Sequence, residues 1–268
     1  MTSDIHDSSY SWLRLLITLS IAMVANVGIW AVVVILPEVE AEFGASRAAA
    51  SAPYTLTMIG FAFGNLLIGR LVDRFGITLA LSGAGVVIAS SFALSAIASN
   101  IAILSAVHLL LGLSTAVGFG PLMADISHWF VKRRGIAVAI TASGNYLSGA
   151  IWPLLMSGIL ADGSWRQVYL ILAVVSVIVI IPLSLLLRRK VPDDAQVQAE
   201  AAASLRTQSV GFSPRTLQIL LGVAGIGCCV AMSMPQVHIV AYCVGLGYGP
   251  AVGAEMLSMM LLAVLSAA

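Results

Sequence analysis

Long uncharged stretches alternate with short charged ones along this chain. The apolar segments are approximately Leu13–Leu36, Pro53–Ile68, Ile77–Ala98, Ile101–Ala124, Gly135–Leu160, Gln167–Leu187, Thr216–Val244 and Ala251–Ala268. Each is near the ~20 residues with which a helix crosses ~30 Å of hydrocarbon. Backbone polar groups in lipid must be satisfied within the chain, so the pattern predicts eight spanning helices. The second segment is short, and its helix is expected to extend into Ala48–Ala52 and Gly69–Leu71. Between segments two and three lies Gly69-Arg70-Leu71-Val72-Asp73-Arg74-Phe75-Gly76, three charges in a gap too short to be a domain. Two helices are therefore expected to turn back on each other here. Gly76 suits the positive φ of a tight turn, Gly69 suits a close approach of two helix backbones, and Asp73 is placed to cap the next helix.

Composition supports a lipid environment. Of 268 residues, 60% are hydrophobic and 9% charged, against about 25% charged in ordinary soluble domains. The three cysteines, Cys228, Cys229 and Cys243, fall in one apolar region and read as small apolar residues rather than a disulfide framework. The run from Leu13 is too long for a signal-peptide core and reads as a retained first span.

Of the thirteen Lys and Arg residues, eleven fall on one side in the eight-span reading: Arg14, Arg70, Arg74, Lys132–Arg134, Arg188–Lys190, Arg206 and Arg215. Only Arg47 and Arg166 fall on the other. By the positive-inside rule this places the N-terminus and the Asp73 stretch in the cytoplasm, in a multi-pass protein of the plasma (inner) membrane. The polar stretch 188–215 reads as a cytoplasmic linker between a six-span unit, 1–187, and two further spans, 216–268. Inside the first unit, Gly158-Ile159-Leu160-Ala161-Asp162 echoes the Gly-x-Leu-x-Asp of Gly69–Asp73 three spans later. An inverted three-plus-three repeat would place the two copies on opposite faces.

Polar residues at membrane depth are the candidates for a substrate pathway, because hydrocarbon penalises them. They are Asn26 with Trp30 one turn on in span one, His108 and Thr115 in span four, Asn145 and Tyr146 in span five, and His238 with Tyr242 in span seven. Glu255 lies near the end of span eight. Each also has a structural reading, as a hydrogen bond between helices. No His-Glu-x-x-His or Cys-x-x-Cys spacing and no phosphate-binding loop occurs, so no metal, cofactor or enzyme activity is expected. Asp125-Ile126-Ser127-His128 has nucleophile-like residue types, but it reads as a loop between spans without an oriented triad. The basic runs sit at the membrane surface without a nucleic-acid fold around them.

The Gly69–Gly76 stretch between two spans resembles the signature loop of the major facilitator superfamily. A second stretch narrows the resemblance: Trp129-Phe130-Val131-Lys132-Arg133-Arg134-Gly135-Ile136-Ala137 followed by Ser143-Gly144, and Met234-Pro235-Gln236-Val237-His238 in span seven. These are similar to the monocarboxylate transporters and oxalate/formate exchangers of that superfamily. The resemblance implies an all-α membrane protein with the major facilitator fold, here a six-helix bundle plus about two helices of the second half. It implies a secondary transporter of a small organic anion, with or without a coupled proton, working by alternating access; it places span seven on the cavity and makes Gly69, Asp73, Arg74 and Gly76 the candidate conformational latch. The first span carries Asn26 and Trp30 but no cation at their depth, Arg14 lying at its start. Only two spans follow the linker, so a complementing C-terminal half is the expected partner, and the chain alone is not expected to transport. The rival readings are a truncated or split carrier without activity of its own, and a membrane scaffold or receptor subunit.

Overall fold

The computed structural model describes residues 5–192, Val197, Ser204 and 213–266. Most of the expected linker, Arg206 included, lies outside the described residues. All regular structure within them is helical. Eight rods follow one another: span one Ser9–Phe43, span two Ala52–Phe75, span three Ile77–Ala96, span four Ile101–Ser127, span five Arg134–Asp162, span six Trp165–Leu186, span seven Pro214–Gly245 and span eight Pro250–Ser266. Six of them are long and apolar enough to cross a membrane. Span five is as long but is diluted by Asn145, Tyr146 and Pro153, and span eight is apolar but has 17 residues.

Span one runs well past the apolar segment, through Pro37 and the carboxylates Glu38, Glu40 and Glu42, to a left-handed Gly44. Its acidic end is held from span six. Glu42 accepts from Trp165 Nε1 at 2.5 Å and from Arg166 at 2.6 Å, while Glu38 accepts from the Trp165 backbone N–H at 3.2 Å. These partners are more than 120 residues away in sequence, which is why the hydrophobic pattern ends the helix too early.

The charged stretch between spans two and three differs from its expected form. Span two continues as helix through Phe75, so Gly69, Asp73 and Arg74 occupy its last turns and do not form a loop. The whole connection is Gly76, with φ +84° and its N–H bonded to the Val72 carbonyl at 2.7 Å. Asp73 does not cap span three, whose N-cap is Gly76 without a side-chain bond. A helical Cβ points back toward its own N-terminus, so Asp73 is aimed away from the helix that follows. Gly69 serves no close approach either, because a Cβ there would meet nothing within 4 Å.

The close approach is elsewhere. A Cβ on Gly60 would overlap the Leu109 carbonyl, one on Gly64 the Leu113 carbonyl, and one on Gly112 the Thr57 carbonyl. Spans two and four thus meet backbone to backbone across a Gly-x-x-x-Gly face, the small-residue solution that membrane helices use in place of hydrophobic burial. Spans three and six and spans one and five pair beside them, around a core that includes Ile21, Leu81, Phe92, Leu111 and Tyr169. Spans seven and eight pack back on spans one and five, where Trp30, Val33 and Ala150 meet Val240, Leu257 and Leu261.

Two of the spans are broken at one level. Span one loses its helix at Asn26, and span four passes through a 3-10 turn at Ala116–Gly118. The breaks face each other, since Asn26 Nδ2 donates to the Gly118 carbonyl at 3.0 Å and to Ala22 at 2.8 Å. Gly69–Asp73 and Gly158–Asp162 sit at the C-terminal ends of spans two and five, which point to opposite faces of the bundle, as an inverted repeat requires.

Gly112→Val, placed against the Thr57 backbone, is expected to cost about 1–3 kcal/mol or more through overpacking. Gly69→Ala, in open space on a helix, is expected to be neutral or stabilising by up to about 1 kcal/mol. Thermal unfolding in detergent, followed by fluorescence-detected size exclusion, distinguishes the two. Equal losses would place the close contact elsewhere.

Candidate functional site

Two regions bring polar side chains together. The first closes the face from which the N-terminus enters. Arg14, on span one, is 1% exposed and has partners for all three guanidinium nitrogens. Its Nε and Nη2 donate to the two oxygens of Asp125 on span four, both at 2.9 Å. Its Nη1 donates to the Leu187 carbonyl at 3.3 Å and the Arg189 carbonyl at 3.0 Å, at the end of span six. The guanidinium also lies 4.5 Å above the Trp129 ring. One side chain therefore joins the ends of spans one, four and six.

The segment before span one reinforces that closure. The Asp7 carboxylate accepts the N–H groups of Val131, Lys132 and Arg133 at 3.0–3.2 Å, just ahead of span five. Partial burial acts to raise the Asp7 pKa, but these three donors and the Arg133 charge outweigh it and hold it below the ordinary carboxylate value. A depressed carboxylate contributes stability that is complete above the ordinary value, about 4, and is lost only as the pH falls through the depressed one. The anchor is accordingly constant across the neutral range.

The second region lies midway along the bundle, where spans one and five meet spans seven and eight. Trp30 Nε1 donates to the Asn145 backbone carbonyl at 3.1 Å and approaches its Oδ1 at 3.3 Å. Gly149, one turn beyond Asn145, leaves the room that Trp30 and Leu261 fill. Tyr146, with Tyr54 and Met58 of span two, packs on the same cluster. The Asn145 amide nitrogen and the hydroxyls of Tyr54 and Tyr146 have no hydrogen-bond partner among the described residues. Neutral N–H and O–H donors of this kind can bind oxygen atoms of a small polar solute at low desolvation cost.

Of the expected pathway residues, the fold brings together Trp30, Asn145 and Tyr146. Asn26 is a brace between the two helix breaks, although its Oδ1 is buried without a partner. Thr115 bonds its own helix at Leu111 and abuts Gly28. His108 is fully buried and its ring is fully used. Nδ1 lies 2.8 Å from the Leu104 carbonyl and must donate to it, so Nε2 accepts from the Tyr169 hydroxyl at 2.9 Å. That neutral tautomer ties spans four and six together and faces no pathway.

His238 and Tyr242 do share a face with Met234, but it is the exposed one. Val237, Val240 and Ala241 take the face turned to the first six spans. Helical spacing fixed which residues group together and left open which group faces inward. Glu255 is likewise exposed. Asp73 makes no ion pair among the described residues, and Arg74 lies 5.3 Å over the Phe75 ring.

Arg14 and Asp125 were hidden by their sequence context. Arg14 reads as an orientation charge, and Asp125 falls in an expected loop, whereas span four in fact runs to Ser127. The signal available was the pairing of one cation and one carboxylate just inside the same end of two apolar segments. Tyr54 was findable as the polar-tipped aromatic in an otherwise uncharged segment. Among the described residues no group of His, Cys, Asp and Glu has a metal-site arrangement.

The Major Facilitator Superfamily family model matches residues 18–268. Curated relatives include monocarboxylate transporter 13 of Bos taurus, 27% identical over 76% of this chain and 47% of its own. Monocarboxylate transporter 6 of Homo sapiens is 29% identical over 62% of this chain and 33% of its own. An uncharacterized MFS-type transporter of Bacillus subtilis, YcxA, is 29% identical over 61% and 40%. The chain thus spans less than half the length of these relatives. The crystal structure of a D-xylose-proton symporter superposes with a TM-score of 0.66, at 15% identity, over 96% of this chain and 67% of that one, which is a likeness of fold.

Removing one partner of a buried ion pair strands the other, at a cost of about 3–5 kcal/mol. Arg14→Met is therefore expected to destabilise strongly, and Arg14→Met combined with Asp125→Leu to recover a large part of the loss. A double-mutant cycle on detergent unfolding measures this; additive losses would show that the pair is not coupled.

Proposed function

This chain belongs to the major facilitator superfamily, a family of membrane transporters, and we propose that it forms the substrate-binding wall of a carrier for small organic anions. The observation that supports this reading is the group of unpaired neutral donors on Asn145, held by Trp30, and on Tyr146 and Tyr54, packed on the same cluster where the first six spans meet the next two. Carboxylate oxygens accept hydrogen bonds from such groups, and several relatives carry the name monocarboxylate transporter. The ten Lys and Arg residues at the N-terminal face among the described residues, against Arg47 and Arg166 opposite, favour a cytoplasmic N-terminus in a plasma membrane.

In this reading transport proceeds by alternating access, with the first six spans rocking as one body against a second set of helices. Spans seven and eight are the beginning of that set. The exposed His238 and Tyr242 belong to the surface that further helices, from a longer chain or a complementing half, would cover. Asp73 and Arg74, at the end of span two, are the groups available to meet that half when the N-terminal face closes. A second reading, of a carrier segment that binds but does not transport alone, is favoured by the share of the relatives' length that this chain spans.

Binding and uptake separate these readings. Scintillation-proximity measurement on the purified chain is expected to show saturable binding of labelled pyruvate, lactate or oxalate. Loss of a hydrogen bond to a charged group should weaken it about tenfold to a hundredfold in Tyr146→Phe or Asn145→Leu, with Gly69→Ala unchanged. Uptake into liposomes above empty vesicles would select the complete carrier, and binding without uptake the segment. No saturable binding to any of the three would overturn the proposal. For orientation, a single cysteine at Ser46, in a version lacking Cys228, Cys229 and Cys243, should label from outside intact cells and one at the exposed Lys132 should not. The reverse pattern would invert the assigned topology.

A further inference from the structure

The N-terminal face carries a cleft of which the transport reading uses only Asp73 and Arg74, on one wall. It encloses about 940 Å³ between the end of span two, the start of span three, the end of span four and the residues following span six. Arg14, Arg74, Arg188, Arg189 and Lys190 line it, against the carboxylates Asp73 and Asp125. Arg14 and Asp125 satisfy one another, and Arg74 adjoins Asp73 in sequence. Arg188, Arg189 and Lys190 are then in excess, exposed and without a carboxylate partner among the described residues. Arg14 positions them by holding the carbonyls of Leu187 and Arg189, and the Arg189 guanidinium is steadied 4.7 Å over the Tyr10 ring.

The positive-inside rule accounts for cations at this level, but not for their collection around one concavity, nor for two uncharged features beside them. Span three starts here, and Ile77, Thr78 and Leu79 line the cleft as its first turn. Its N-cap is Gly76, so no side chain caps the N–H groups at the positive end of a 20-residue helix. His128 lines the same cleft with its Nδ1 buried and without a partner. Fixed positive charge and free backbone N–H groups around one concavity together make a receptor for a compact, multiply oxygenated anion.

We propose that this cleft binds a phosphate group, carried either by an acidic phospholipid headgroup or by a soluble phosphate. Arg188, Arg189 and Lys190 supply the charge, and the first turn of span three supplies directional N–H donors. The lipid source rests on the membrane orientation assigned above; the soluble source does not, and neither depends on what the central site carries.

Two arms distinguish the sources. In native mass spectrometry of the full chain from mixed micelles, retention of phosphatidylglycerol over phosphatidylcholine would identify the lipid. In detergent free of anionic lipid, a dose-dependent rise in melting temperature with inorganic phosphate or pyrophosphate, but not chloride at equal ionic strength, would identify the soluble anion. In whichever arm responds, replacing Arg188, Arg189 and Lys190 together by Gln should weaken binding about a hundredfold, since each cation near a surface contributes roughly fivefold. Thr78→Asp puts a carboxylate on the helix start, where it favours the helix, so it should fold normally and still abolish binding. It decides the matter if the triple variant does not fold. Silence in both arms, or wild-type binding by a folded Thr78→Asp, would overturn the proposal.

Discussion

A guanidinium buried among apolar helices is tolerable only if every donor it carries is answered, and Arg14 meets that condition with groups from two other spans. The consequences spread outward. Asp125 is held inside span four rather than released to solvent, and the carbonyls at the end of span six are drawn against span one. Trp129 becomes a roof over the charge. With Asp7 pinning the start of span five, one face of the six-span body is fastened at four helix ends by directional bonds rather than by apolar contact, which drives little association where the surroundings are lipid.

Midway along the bundle the packing follows different physics. Spans two and four touch through Gly60, Gly64 and Gly112 so closely that no side chain fits, which makes that pair stiff. Spans one and four interrupt their helices at Asn26 and Ala116–Gly118 and join the interruptions by one amide. Under the proposed alternating access, a body fastened at one end and closely packed along one seam is suited to moving as a unit. That is the mechanical requirement of a rocking carrier half.

The sequence made the membrane class, the number of helices and their alternation plain, because these depend on composition and on period alone. It also exposed Trp30, Asn145 and Tyr146, since a polar group far inside an apolar run stands out before its surroundings are known. What it concealed depends on distant partners. His108 looks like a pathway group until Tyr169, 61 residues on, occupies its second nitrogen. Gly69 and Gly60 are the same residue type on one helix, and only the position of span four tells which is a contact. Asp73 looked like a cap because a loop was expected, yet a one-residue connection leaves no loop to cap from. Span seven showed which residues share a face but not its direction, because both faces are apolar enough for either side.

The clamp on Arg14 also carries a schedule. Asp125 follows Arg14 by 111 residues and the Arg189 carbonyl by 175. At roughly 5–20 residues per second on the ribosome, the charge waits on the order of ten seconds for its first partner and longer for its last. Throughout that interval Arg14 has to stay at the headgroup boundary, reaching out along its own flexible stem. Span one therefore makes these contacts only after span six has been made. At the N-terminal face the first span thus waits for the sixth, and this end can close only after all six have been made.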